Sequence, residues 1–239
     1  MQSINPQGVS IHIGSQITDL SPFEAAFTRV KKFVNELRLK GLKIETLDLG
    51  GGLGIPYEMG KNPPHPKDYA AMIKEIFGGF DCKLIFEPGR VITGNAGIMV
   101  SKVIYTKHTE ERDFLIIDAA MNDLIRPSYY DAHHDIIPVC TAPHQKPGDI
   151  AVAPKYDIVG PVCETGDTFA RLREMPELQA DDLIAFRTAG AYGAVMASTY
   201  NSRLLIAEVM VNGSEFAITA QRQSYDEMFE REILPEWLK

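Results

Sequence analysis

Apolar residues follow two periods along this chain, and the change of period divides it. Over the first third, short runs of strand length alternate with stretches at helical spacing. Residues 9–11, 44–49 and 83–86 read as strands. Phe23, Phe27, Val30, Val34 and Leu37 recur every three or four positions between the first two, the stripe of an amphipathic helix. Ser21-Pro22-Phe23-Glu24 fits a capping box with proline in the first turn, and Gly41 fits a left-handed helix end. Asn62-Pro63-Pro64-His65-Pro66 excludes regular structure, so a loop leads into a second helix over 67–77, stopped by Gly78-Gly79. A helix crossing over between successive strands makes those strands parallel.

Past about residue 96 the period shortens. Residues 98–106 and 114–117 flank a charged turn at Glu110-Glu111-Arg112 and predict a hairpin. Further short strands are expected at 150–159 and 183–187. Residues 204–211 and 215–220 flank Asn212-Gly213, a type I′ hairpin signal. The Gly/Ala-rich stretch 189–200 predicts a short helix, and 224–233 a terminal one. The chain is thus α/β plus β: βα units over residues 1–96, then a β-rich domain with short helices over 97–239.

Each early strand runs into reactive or glycine-rich residues: His12-Ile13-Gly14-Ser15-Gln16, Gly50-Gly51-Gly52-Leu53-Gly54, and Glu87-Pro88-Gly89-Arg90. Chemistry gathered at the C-terminal ends of successive parallel strands is how a (β/α)8 TIM-like barrel builds an active site. A whole barrel takes about 250 residues, roughly 30 per unit, so the room before residue 96 holds three units. The sequence therefore predicts a partial barrel with an open edge.

Each motif has two readings. The triple glycine is either a flexible turn or a set of backbone N–H groups converging on a phosphate; it is not the dinucleotide fingerprint, which would need glycine at Ile55. Glu87 is either half of an internal pair with Arg90 or the carboxylate that keeps a pyridine nitrogen protonated, as a pyridoxal phosphate ring requires. Arg90 offers a planar fork to phosphate or carboxylate. His12 is a core histidine or a ring that stacks on a flat cofactor. Cys163, within Gly160-Pro161-Val162-Cys163-Glu164-Thr165-Gly166-Asp167, is a small buried apolar residue or a loop thiol able to pass a proton. Arg126-Pro127-Ser128-Tyr129-Tyr130 and Gly190-Ala191-Tyr192-Gly193 are turns or anion contacts. His133-His134-Asp135 invites a metal, but adjacent histidines on a strand face opposite ways, and no metal is expected.

Composition narrows the function. A net charge of −8 over 239 residues argues against nucleic acid or anionic membrane as partner and fits work on small molecules. Cys82, Cys140 and Cys163 are odd in number and widely spaced, which predicts a reducing, cytoplasmic setting. The N-terminus lacks a basic-then-apolar signal, and no apolar run is long enough to span a bilayer.

In this order, HIGSQ, LGGGLG, EPGR, RPxxY, GPVCETGD and GAYG resemble the diaminopimelate decarboxylase branch of the fold-type-III pyridoxal phosphate decarboxylases, from about Gly8 almost to the C-terminus. The resemblance implies pyridoxal 5′-phosphate as cofactor. It implies decarboxylation of meso-2,6-diaminopimelate to L-lysine and CO2, and a homodimer whose sites are shared across the interface. Under it, His12 stacks on the cofactor and Ser15, Gly50, Gly51 and Gly52 hold its phosphate. Glu87 pairs with the ring nitrogen, and Pro88, Gly89 and Arg90 lie beside the cofactor. Arg90, Arg126, Tyr130, Glu164 and Tyr192 bind substrate, Tyr192 also touching the cofactor. Cys163 is the proton donor. Two arginines and a carboxylate suit a substrate with a second amino-acid end better than ornithine. Tyr129 stands where leucine is more usual in that family. The family's Schiff-base lysine, in a YAxKAN-like stretch, is absent from the sequence, so the isolated chain is expected to be inactive. The alternatives are a non-catalytic or complementing subunit, and an ornithine- or arginine-type decarboxylase.

Overall fold

The structure, a computed structural model, describes residues 4–140 and 153–238. The chain folds as two units, Met1–Ile98 with Arg187–Ala191, and Met99–Phe186 with Tyr192–Lys239.

In the first unit, β1 (Gly8–Ser10), α1 (Ser21–Leu39), β2 (Thr46–Asp48), α2 (Pro66–Phe77) and β3 (Lys83–Ile85) follow one another. The three strands form a parallel sheet in the order β1-β2-β3. Val9, Leu47 and Leu84 share one row of that sheet and belong to the helix-covered core. Phe23, Phe27, Val30 and Val34 of α1 fill the core with Ile73 and Phe77 of α2. Burying each such ring or branched side chain contributes about 1.5–3 kcal/mol. On the next row Ser10 Oγ donates to Asp48 Oδ2 at 3.2 Å.

The start of α1 differs from expectation. Ser21 is the first helical residue of α1, and the Ser21–Glu24 box does not form. Asp19 Oδ1 instead accepts from Ser21 N at 2.7 Å, because an aspartate reaches the N–H two residues on more readily than a serine already inside the turn. At the other end Gly41 has φ +86°, and Gly41 N and Leu42 N donate to Arg38 O and Leu37 O at 2.9 and 3.2 Å, a Schellman closure. α2 begins at Pro66, with His65 Nδ1 accepting from Lys67 N at 3.1 Å and Asp68 accepting from His65 N at 3.3 Å. A short helix, α3 (Arg90–Thr93), and a 3₁₀ turn at Gly94–Ala96 complete the unit. Ala189 N and Gly190 N tie the returning chain to Gly97 O and Gly94 O at 2.8 and 3.1 Å.

The second unit holds β4 (Met99–His108), β5 (Asp113–Ile117), α4 (Arg126–Tyr130), β6 (Ile136–Pro138), β7 (Lys155–Val159), β8 (Thr168–Glu174) and β9 (Leu183–Phe186). Their sheet runs β6-β9-β4-β5-β7-β8, antiparallel except for β5 beside β7. Val103, Leu115, Ile117, Ile158, Ile184 and Phe186 are fully buried in it. β10 (Glu208–Asn212) and β11 (Glu215–Ala220) form a separate hairpin, and α5 (Tyr225–Phe229) starts on a Ser224–Glu227 capping box.

The expected β4–β5 hairpin is present. The expected strand at 150–159 is described from Lys155 onward, and its first residues lie outside the described chain. The stretch 189–200 is not a helix: Tyr192 and Thr188 have φ +60° and +59°, and only 3₁₀ turns form at Ala194–Met196 and Tyr200–Ser202. The β10–β11 turn centres on Gly213-Ser214 rather than Asn212-Gly213. Gly213 alone has positive φ there, at +62°, as a type II′ turn requires. The terminal helix is shorter than 224–233. No helix among the described residues is long and apolar enough to cross a membrane.

Candidate active site

The loops that follow β1, β2 and β3 meet side by side at the C-terminal ends of the strands. Gly50 takes φ +66° and Gly52 +101°. Gly50 N donates to Asp48 Oδ1 at 2.8 Å; Glu87 N donates to Gly50 O at 2.9 Å; Gly51 N approaches His12 Nδ1 at 3.4 Å. The glycines are needed because the loops touch. A Cβ on Gly50 would stand 2.4 Å from Ile11 O, on Gly51 2.2 Å from Glu87 O, and on Gly52 2.2 Å from Gly14 O.

Arg90, at the start of α3, donates from Nη2 to Ser15 Oγ at 3.0 Å. Its Nη1 donates to the hydroxyl of Tyr57, over whose ring the guanidinium lies, 5.5 Å from the centroid. His12, Ser15, Glu87, Pro88 and Gly89 line the open side of this cluster, and a Cβ on Gly89 would have free space around it. Glu87 therefore makes no buried pair with Arg90. It stands at the solvent-facing end of β3, beside the triple glycine. His12, Ser15, Gly50, Gly51, Gly52, Glu87 and Arg90 are thus one cluster, to which the structure adds Asp48, Tyr57 and Gln16. Asp48 and Tyr57 lie outside every motif, and Gln16 lies within one but with no role of its own. Their partners Ser10, Arg90 and Ile55 are 38, 33 and 39 residues away in sequence, beyond the reach of any local pattern.

The second unit holds the other candidates. Cys163 and Glu164 are exposed in the loop between β7 and β8. That loop closes on Asp167, whose buried carboxylate accepts from Met121 N and Val162 N, each at 2.7 Å. Burial pushes the Asp167 carboxyl up, while the two backbone donors pull it down. A Cβ on Gly160 would stand 2.4 Å from Asp167 Oδ2, which explains the glycine in Gly-Pro-Val-Cys. The Tyr200 hydroxyl donates to Glu164 Oε2 at 2.7 Å, and this bond to a carboxylate raises the phenol above its ordinary value.

RPSYY is a helix, not a turn. Ser128 Oγ of α4 donates to Gly166 O, joining α4 to the cysteine loop. Tyr130 is exposed on α4. Arg126 is only 7 % exposed and its Nη1 meets His134 Nε2 at 2.7 Å. His134 is buried, whereas its neighbour His133 pairs with Asp135 at 3.1 Å nearer the surface. Tyr192 is 42 % exposed. From sequence, Asp167 and Tyr200 have no assigned role, and His134 is weighed only as half of a metal-binding pair.

Residues 15–190 match the family described as pyridoxal-dependent decarboxylase, C-terminal sheet domain. The diaminopimelate decarboxylase of Zymomonas mobilis is 51% identical over 99% of this chain and 54% of its own length. That of Vibrio cholerae is 45% identical over 99% of this chain and 55% of its own. A crystal structure of diaminopimelate decarboxylase from M. jannaschii in co-complex with L-lysine superposes with TM-score 0.90 at 36% identity, covering 98% of this chain and 53% of that one. The chain spans about half the length of the curated relatives it matches.

Proposed function

The chain belongs to the pyridoxal-dependent decarboxylases, and on that premise we propose that it forms the C-terminal portion of an enzyme converting meso-2,6-diaminopimelate to L-lysine and CO2. One observation carries this reading: Ser15, Arg90, the triple glycine, His12 and Glu87 converge at the ends of three adjacent parallel strands. We place these strands in a (β/α)8 barrel, with residues 1–96 holding the cofactor and 97–239 forming the β domain.

The donor set fits pyridoxal phosphate. Arg90, Ser15 and the amides of Gly50–Gly52 would take its phosphate, with Pro88 and Gly89 shaping the open space beside it. His12 would lie against the ring, and Glu87 would hold the ring nitrogen protonated. The bound cofactor supplies an electron sink for the pair left when CO2 departs. Arg90 and Arg126 would meet substrate carboxylates, Glu164 the far ammonium, and Tyr130 and Tyr192 the chain between. Cys163 would return a proton to the carbon that lost CO2. In this reading the enzyme is a homodimer, and Cys163 and Glu164 would act in the partner's site.

The test is titration of the purified chain with pyridoxal phosphate, followed by assay of CO2 and lysine from diaminopimelate, with ornithine as the control substrate. Cofactor binding lost in Arg90→Ala is the expected outcome, with turnover by the chain alone absent or slight and any CO2 released coming from diaminopimelate rather than ornithine. Substrate preference unchanged in Arg126→Ala would favour the ornithine- or arginine-type alternative. The exposure of Cys163 and Glu164 on the loop between β7 and β8 supports a second reading, a complementing subunit that lends these residues to a longer partner.

A further inference from the structure

Gln16 holds a left-handed backbone conformation, φ +56°, which costs free energy for any residue with a Cβ. Both the donor and the acceptor end of its side chain are engaged. Nε2 donates to Ile55 O at 2.7 Å and Oε1 accepts from Ile55 N at 3.2 Å. The neighbouring residues pair as a strand would: Ile17 N donates to Gly52 O and Gly54 N to Ile17 O, both at 2.9 Å. The Gln16 amide thus adds one rung to that short ladder, at the far side of the glycine loop.

Ile55 carries the connection onward. Its Cδ1 lies 2.1 Å from where a Cβ on Gly94 would be, so it packs directly on the turn that closes α3. Arg90 opens α3 and returns to Ser15 Oγ at 3.0 Å. Ser15, Gln16, Ile55, Gly94 and Arg90 form a closed ring of contacts through the loops that follow all three strands. A glycine at 16 would relieve the backbone strain but would open this ring.

We propose that Gln16 is a positioning residue that fixes Ser15 and Arg90 relative to the glycine loop, and so sets the fit of the cofactor's phosphate; this rests on the cofactor reading above. Two variants of the whole chain test it. Q16E keeps the acceptor for Ile55 N but sets a carboxylate oxygen against Ile55 O. Q16G frees the backbone and loses both bonds. In each, amide exchange at residues 50–55 is expected to quicken about tenfold or more while α1 and α2 keep their wild-type rates. Each should weaken pyridoxal phosphate binding about tenfold, Q16G without a fall in melting temperature. Unchanged exchange at 50–55, or unchanged affinity despite faster exchange, overturns the proposal. Faster exchange throughout the first unit with a lowered melting temperature marks a merely structural residue and also overturns it. Should the wild-type chain take up no pyridoxal phosphate, the cofactor reading fails by itself, and the exchange measurement alone decides for or against Gln16.

Discussion

Glycines 51 and 89 flank the same cluster but face opposite constraints. A Cβ on Gly51 would collide with Glu87 O, whereas one on Gly89 would meet nothing within 4 Å. G51A should therefore cost about 1–3 kcal/mol of unfolding free energy, the penalty of overpacking against backbone that cannot swing aside. G89A should stay within about 0.5 kcal/mol of wild type yet bind pyridoxal phosphate more weakly. Urea denaturation and cofactor titration separate the two, and a G51A variant as stable as wild type would show that the loops part easily. Asp167 gives a prediction in pH. Burial holds its proton to higher pH in the folded chain than in the unfolded one, so its favourable contribution is fully present below the ordinary carboxylate value. It is lost as pH rises through the raised folded value. The wild-type urea midpoint should accordingly fall, relative to D167N, as pH rises through that window. A gap that widens in the wild type's favour instead would refute the sign.

Helix α1 shows how an element's boundary is set by a residue outside it. Asp19 is held below the ordinary carboxylate value by Ser21, first through its backbone N–H and then through its hydroxyl. A carboxyl lowered in the folded state stabilises above its unfolded value, and that stabilisation disappears as pH falls through the lowered value. D19A should melt below wild type at neutral pH and together with it once Asp19 is protonated. S21A should melt close to wild type at both, since the backbone N–H remains. Thermal melts at the two pH values are the check, and a pH-independent deficit in D19A would rule the carboxylate out. The stripe of α1 and the strand–helix alternation were legible because each rests on residues three or four apart, or on one short apolar run. β8 was not legible: Arg171 and Arg173 break its apolar character, and Leu172 bends it with φ +48°. The 189–200 stretch read as helix from its alanines, but Gly190 lies so close to Thr93 that a Cβ on it would stand 2.0 Å from Thr93 O. That contact spans almost a hundred residues, and no local pattern encodes it. The site was legible as a set of motifs for the same reason in reverse. Each motif is continuous in sequence, whereas the contacts that orient it, Gln16 on Ile55 or His134 on Arg126, appear only once the chain has folded.

At the scale of the whole molecule, the candidate groups are divided between the two units. His12, Ser15, Glu87 and Arg90 belong to one, and Arg126, Cys163 and Glu164 to the other. If sites are shared across a homodimer, a subunit can lend the second set without possessing a working copy of the first. This can be tested with the Zymomonas mobilis relative, 51% identical to this chain, inactivated by replacing its counterpart of Cys163 with alanine. Removing a general acid from such a site lowers turnover by about 10²–10⁴-fold, which leaves a low background for measurement. Co-expression with the wild-type chain should restore lysine release from diaminopimelate, because mixed dimers would join an intact cofactor site to an intact Cys163 loop. The same chain carrying Cys163→Ala or Glu164→Ala should form the mixed dimer, detected by co-purification, and restore little or nothing. Co-purification without recovered activity in the wild-type pairing would mean that Cys163 does not act across the interface. Recovery by the Cys163→Ala chain would remove the thiol from the proton-transfer role altogether.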